Sequence, residues 1–309
     1  MFAAIFPGQG SQSIGMMHEL YNESEIVRKT ISEAASILGF DLWELMQNGP
    51  NEKLNDTLYT QPAMLVAGVA SWRYYISEAT NIPTIMAGHS LGEYTALVCS
   101  GALTFKDAID LVKCRAQYMA AAVPEGSGAM AAIIGLNDEA VIEACDEAKN
   151  YGVVEAVNFN APGQVVIAGS KVAVENTIEI AKKKGARRAI LLNVSIPSHC
   201  ELMLPAGLQL RQKLQGLQLA IPSYPVINNA DVAIYTDQNS IIEGLTKQIS
   251  NPVRWADIIR YFINKDVRVA VEFGPGGILS GLCKRIDKSM QAIKFDSLAS
   301  TDLINRLNT

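Results

Sequence analysis

Five consecutive residues carry the strongest chemical signal in this sequence: Gly88-His89-Ser90-Leu91-Gly92. An apolar run, Ile82-Pro83-Thr84-Ile85-Met86-Ala87, precedes them, and a helix-like stretch from Glu93 to Ser100 follows. G-x-S-x-G between a strand and a helix is the pattern of a nucleophile elbow. The glycines permit a tight turn, because a Cβ at either flank would crowd the neighbouring strand and helix. The turn pushes Ser90 outward. The N–H of Leu91 lies at a helix N-terminus, where it can stabilise a developing oxyanion. The same letters also fit a glycine-rich connection with an incidental serine, but the strand before and the helix after favour the nucleophile.

A nucleophilic serine needs a base, and the chain has only three histidines. His89 adjoins Ser90, and neighbouring side chains at an elbow diverge, so it reads as a turn residue. His18 lies among Met16, Met17, Glu19 and Leu20 and reads as a surface residue. His199, in Ile196-Pro197-Ser198-His199, sits at a strand-to-helix boundary, where the ligand sites of α/β sheets gather. Spacing alone leaves it open between base and structural histidine. No acidic residue stands out as a third member, so a neutral group such as a backbone carbonyl is left to orient the imidazole.

Arg115 is a second kind of candidate. A carboxylate inside a cleft needs a paired charge, and guanidinium offers a planar, bidentate match. Lys113 nearby suggests an exposed helix face, whereas Leu111, Val112 and Met119 suggest a buried one. The residues alone do not choose.

The elements that would position these groups form two sets. Phe2–Phe6 reads as a buried strand ending in the turn Pro7-Gly8-Gln9-Gly10-Ser11-Gln12. Helices are expected over Glu23–Leu38, Thr60–Glu78 and from Thr104, capped with Asp107 three residues on, to about Ala122. From Gly128 to Ser195 the order is β-α-β-β-α-β, which is ferredoxin-like. After it come a helix over Met203–Leu214, a strand at Pro225–Asn228, helices at Ile241–Ile249 and Trp255–Asn264, and a strand Val267–Phe273 running into Gly274-Pro275-Gly276-Gly277. Strands that end in glycine turns leading into helices imply a parallel sheet. The expected fold is therefore α/β. A parallel-sheet, α/β-hydrolase-like core spans residues 1–127 and 196–309, with a ferredoxin-like subdomain inserted at 128–195.

Composition narrows the function classes. With 309 residues, 49% of them hydrophobic and 18% charged, the chain can build a sizeable core and is not disordered. A net charge of −5 gives no electrostatic case for nucleic acid or an anionic membrane. The five cysteines, Cys99, Cys114, Cys145, Cys200 and Cys283, are odd in number and form no C-x-x-C pair. That points to the reducing cytoplasm rather than to a disulfide framework. The apolar start, Met1 to Phe6, is too short for a signal peptide. No stretch approaches a membrane span. No His/Cys cluster suggests a metal.

Six segments, in order, carry a resemblance. They are FPGQGSQ (Phe6–Gln12), GHSLGEYTAL (Gly88–Leu97), CRAQYM (Cys114–Met119), VNFNAPGQVVIAG (Val157–Gly169), PSHCELM (Pro197–Met203) and EFGPGGIL (Glu272–Leu279). Together they resemble the malonyl-CoA:acyl carrier protein transacylases of type II fatty acid synthesis. The resemblance implies that Ser90 accepts the acyl group and that His199 is its base. It implies an oxyanion hole from the N–H groups of Gln9 and Leu91. Gln248, in Gln248-Ile249-Ser250-Asn251-Pro252, matches a glutamine whose main-chain carbonyl orients the histidine, and Arg115 matches the arginine that holds the malonyl carboxylate. Malonyl-CoA and acyl carrier protein would be the substrates, with the phosphopantetheine carried by the partner and no cofactor or metal needed. A monomer is expected.

Acyl carrier proteins are acidic, so an acidic enzyme needs a local basic docking site. The densest basic cluster is Lys182, Lys183, Lys184, Arg187 and Arg188, and the two arginines are the docking candidates. The cluster also reads as a solvated helix end. The alternatives in function are a discrete acyltransferase of polyketide synthesis, and a serine thioesterase or acyl hydrolase, which would need a water route and no carboxylate clamp.

Overall fold

A computed structural model describes residues 1–194 and 196–307. The boundary expected at 195/196 falls partly on Ser195, which lies outside the described residues, as do the last two residues of the chain.

Nine strands divide between two sheets among the described residues. In chain order they are β1 (Ala3–Phe6), β2 (Ile85–Gly88), β3 (Gly128–Ile134), β4 (Val154–Ala161), β5 (Gln164–Ser170), β6 (Arg188–Leu191), β7 (Val226–Ile227), β8 (Val269–Phe273) and β9 (Gln291–Phe295). The larger sheet has the order β7-β2-β1-β8-β9, and every pair in it is parallel. The smaller sheet has the order β4-β5-β3-β6 and is antiparallel. The whole is α/β, as the sequence leads one to expect.

β1 explains why the larger sheet is parallel and covered on both faces. Its residues are all buried, so no face is left for water. Alternate side chains enter different cores. Phe2, Ala4 and Phe6 join Met86, Val271 and Phe273 against the helix Thr57–Glu78. Ala3 and Ile5 join Ile85, Ala87 and Ala270 against the helices Trp255–Asn264 and Ile278–Ile286. Burying one such large side chain contributes about 1.5–3 kcal/mol.

The smaller sheet packs two helices, Asp138–Ala148 and Lys171–Lys183, on one face. Its other face, with Met130, Val157, Val166 and Ala168, covers Cys200. β4 also reaches the core directly: Phe159 N–H donates to Val253 O at 3.0 Å, and Val253 N–H to Val157 O at 2.9 Å. The segment just after Gln248 is thereby fixed to the smaller sheet.

Several boundaries differ from the expectation. The helix expected over 23–38 is two helices, His18–Glu23 and Glu25–Leu38. Ser24 leaves the helical region and its Oγ caps the second helix at Val27 N. The helix expected from Thr60 begins at Thr57, capped by Asp56. The strand expected over 189–194 is Arg188–Leu191. β9 gave no clear sequence signal. It is an edge strand of five residues in which Ile293 and Phe295 are buried, Ala292 and Lys294 are half-buried and Gln291 is exposed.

Candidate active site

β2 runs into Gly88-His89-Ser90-Leu91-Gly92, and the helix Gly92–Cys99 leaves it. Ser90 has φ 51°, the strained backbone of an elbow. The glycines are sterically required. A Cβ on Gly88 would sit 1.9 Å from the carbonyl of Gly92, and one on Gly92 would sit 2.0 Å from Phe6 O. Ser90 N–H donates to Asn229 Oδ1 at 2.7 Å, and Asn229 Nδ2 donates to Gly88 O at 2.7 Å. One side chain thus clamps both ends of the turn.

His199 also has positive φ, 69°, and is 2% exposed. Its N–H donates to Ile249 O at 3.0 Å. Nε2 lies 2.8 Å from Ser90 Oγ, and Nδ1 lies 2.7 Å from the main-chain carbonyl of Gln248. A carbonyl can only accept, so Nδ1 carries the proton and Nε2 is left to accept from the serine hydroxyl. Burial, and then the charge of Arg115, push the imidazole down to about 3. It is neutral at neutral pH.

Arg115 comes from the helix Phe105–Ala121 and is 2% exposed. Its Nη1 donates to Gln61 Oε1 at 2.7 Å. Its Nη2 donates to Gln248 Oε1 at 3.1 Å and to Ser90 Oγ at 3.2 Å. Among the described residues no carboxylate pairs with it, and its Nε has no acceptor. A buried guanidinium is costly to leave unpaired. Here the guanidinium lies beside the nucleophile, its Nη2 3.2 Å from Ser90 Oγ.

The turn Pro7–Gly10 lies against the elbow. A Cβ on Gly8 would meet His89 O at 2.4 Å and Leu91 N at 3.7 Å. The N–H groups of Gln9 and Leu91 donate to no acceptor among the described residues. The Gln9 side chain faces elsewhere, accepting from Thr57 Oγ1 at 3.1 Å.

The acyl transferase domain family matches residues 3–301. The chain is 50% identical over 304 residues to the malonyl CoA-acyl carrier protein transacylase of Haemophilus influenzae, covering 98% of this chain and 97% of that protein. It superposes on the malonyl CoA-acyl carrier protein transacylase of Coxiella burnetii with a TM-score of 0.98 at 44% identity, covering 100% and 98% of the two chains. A malonyl-transacylase solved in complex with a type II polyketide synthase acyl-carrier protein gives 0.97 at 47% identity, covering 99% of each. The chain belongs to the malonyl-CoA:acyl carrier protein transacylase family.

In this acyltransferase the remaining histidines stand apart from the hydroxyl. His89 donates to Asn160 Oδ1 at 2.8 Å and packs on the Trp255 ring, 5.6 Å between centroids. It joins the elbow to β4. His18 is exposed and bonds Gln47 and Asn22. The basic cluster is partly neutralised, since Lys182 pairs with Glu179, and Lys184 with Glu143 and Glu147. Arg187, with Arg285 of the core, lines a groove of about 480 Å³ that also touches Ile134, Gly135, Pro162 and Gly163. Arg188 opens β6 and is exposed.

Three residues of the transacylase site carry no sequence signal of their role. Glu93 is wholly buried, although a carboxylate in the first turn of a helix reads as a surface charge favouring the dipole. Asn229 and Gln61 are ordinary amides in sequence. Their roles arise from contacts with residues more than fifty positions away.

Proposed function

We propose that the chain transfers the malonyl group of malonyl-CoA to the phosphopantetheine thiol of an acyl carrier protein, through a malonyl ester on Ser90, and so supplies fatty acid synthesis. The observation that carries this is Arg115: a buried guanidinium without a carboxylate partner among the described residues, its Nη2 3.2 Å from Ser90 Oγ. An acyl group that ends in a carboxylate supplies the missing charge. An acetyl group leaves the guanidinium unpaired, which disfavours it.

The steps follow from the geometry. Ser90 gives its proton to His199 Nε2 as Oγ attacks the thioester carbonyl. The N–H groups of Gln9 and Leu91 take the oxyanion. The C–S bond breaks, the CoA sulfur takes the proton from His199, and malonyl-Ser90 remains. The carrier thiol then gives its proton to His199 and attacks the ester. Collapse returns the proton to Ser90 Oγ and releases the malonyl thioester. Every step is a proton or acyl transfer, so no metal or cofactor is called for.

Ser90, His199, Arg115 and Gln248 come from one chain, so a monomer suffices. The cytoplasm is the expected compartment. All five thiols are free, and no helix is long and apolar enough among the described residues to cross a membrane. The proposed docking surface for the carrier is the groove lined by Arg187 and Arg285, with Arg188 next in sequence; its basic charge suits an acidic partner.

Intact mass after mixing with malonyl-CoA tests the reading. One malonyl group should appear on Ser90 with an equivalent of free CoA, and phosphopantetheinylated carrier should discharge it. Free malonate appearing without carrier would make the protein a thioesterase instead, and no ester at all would end the proposal.

A further inference from the structure

The transfer steps leave two wholly buried carboxylates unused, Glu93 and Glu272; Glu272 caps the helix Ile278–Ile286, and Glu93 is the one beside the nucleophile. Glu93 is wholly buried one turn after the nucleophile. Its Oε2 accepts from Asn229 N–H at 3.0 Å and from Gln248 Nε2 at 2.9 Å, and Tyr235 Oη donates to its Oε1. We propose that Glu93 is a positioning residue that sets the side-chain orientation of Gln248, and through it the Arg115 guanidinium, making the site selective for a carboxylate-ended acyl group.

The two ends of the Gln248 side-chain amide face different groups. Gln248 Nε2 donates to Glu93 Oε2 and to Ser90 O, both at 2.9 Å. That leaves Oε1 facing Arg115 Nη2 at 3.1 Å. Rotating the amide by half a turn would set NH₂ against the guanidinium, donor against donor. An ionised carboxylate and a main-chain carbonyl only accept, so Glu93 and Ser90 O together oppose that rotation, with Glu93 the one of the two that carries charge. Gln248 also offers its main-chain carbonyl to His199, and Asn229, held at its N–H by Glu93, clamps the Ser90 turn. Glu93 therefore anchors the groups that place the arginine, the histidine and the serine.

The charged and titratable groups around it are Arg115, Tyr235 and Tyr94, with Asp231 beyond Tyr235. Burial raises the carboxyl to about 7, against the lowering effect of Tyr235, Gln248, Asn229 and Arg115. A proton there weakens the acceptor at Oε2 as the pH falls.

The inference rests on the malonyl-transfer reading, and the test separates the two. Acyl-enzyme formation is measured from malonyl-CoA and from acetyl-CoA, across pH, for the wild type, Glu93→Gln and Tyr235→Phe. Removing the negative charge alone would strengthen the pull of Arg115 on an anion and raise the malonyl-to-acetyl ratio. Loss of positioning lowers it. Glu93→Gln should lower the ratio by about tenfold to a hundredfold, the worth of one hydrogen bond to a charged group. The wild-type ratio should fall as the pH drops through about 7, and Glu93→Gln should lack that limb. Tyr235→Phe removes a bond that favours the ionised form, so its limb should move to higher pH. If Glu93→Gln fails to fold, the Tyr235→Phe limb decides. A ratio unchanged or raised in a folded Glu93→Gln chain, or a limb that ignores Tyr235→Phe, overturns the role while leaving malonyl transfer intact. A wild-type chain that takes no malonyl group removes both readings.

Discussion

His199 donates its Nδ1–H to the main-chain carbonyl of Gln248 at 2.7 Å, a neutral acceptor where many serine enzymes place a carboxylate. The carbonyl fixes the tautomer but adds no negative charge. Burial above all, and then the charge of Arg115, keep the imidazole neutral down to about 3 against the raising effect of the Gln248 bond, so the base is ready at any working pH. Protonation of His199 is therefore not expected to limit acylation between pH 5 and 8. His199→Ala should slow acylation by about 10²- to 10⁴-fold, the usual worth of a positioned proton acceptor. Stopped-flow release of CoA checks this. A comparable loss in His18→Ala, with none in His199→Ala, would point to the wrong histidine.

Ser90→Ala should fold normally and form no malonyl ester, because the hydroxyl is partly exposed and its removal opens no core cavity. Mass spectrometry and a thermal melt read the two halves of this prediction. An ester at wild-type stoichiometry in the mutant would place the nucleophile elsewhere.

Arg115→Ala should weaken malonyl transfer by about 1.5–3 kcal/mol or more, the range for hydrogen bonds to charged groups. Acetyl transfer should suffer less, since it leaves no carboxylate unpaired. An unaltered malonyl-to-acetyl ratio in this variant would rule the clamp out.

Gly92→Ala tests the elbow itself. The new Cβ would lie 2.0 Å from Phe6 O and 3.0 Å from Pro7 O, both backbone atoms of β1 and its turn. Neither can move without shifting the central strand. A loss of about 3 kcal/mol or more is expected by urea titration, with acylation impaired. Wild-type stability would mean that the turn relaxes more freely than its contacts allow.

Arg187→Glu combined with Arg188→Glu should raise the KM for the acyl carrier protein, most clearly at low salt, where screening is weak. Acylation of Ser90 by malonyl-CoA should change far less, because neither arginine is among the residues that bond Ser90, His199 or Arg115. A wild-type KM for the carrier at low ionic strength moves the docking surface elsewhere.

The sequence by itself determined what depends on neighbours along the chain. The elbow at Ser90 is legible because its stereochemistry is contiguous: a buried strand, two glycines with no room for Cβ, and a helix. The β-α-β-β-α-β order and the buried β1 are legible for the same reason, through periodicity. Counting histidines left His199 as the remaining candidate without choosing between base and structural residue, and its role, like those of Arg115 and Gln248, came from the resemblance. Local pattern also misled where a side chain decided the break, as at Ser24, and where an edge strand mixed exposed polar with buried apolar residues, as at β9. Only the tertiary structure decided that Glu93 is buried and that the side-chain amide of Gln248 joins Arg115 to Ser90 while its main-chain carbonyl holds His199. The physical reason is closure. A donor or acceptor buried by folding must find its partner in space, and the partners of Ser90, Arg115 and His199 lie as far as 158 positions away in sequence, where periodicity carries no information.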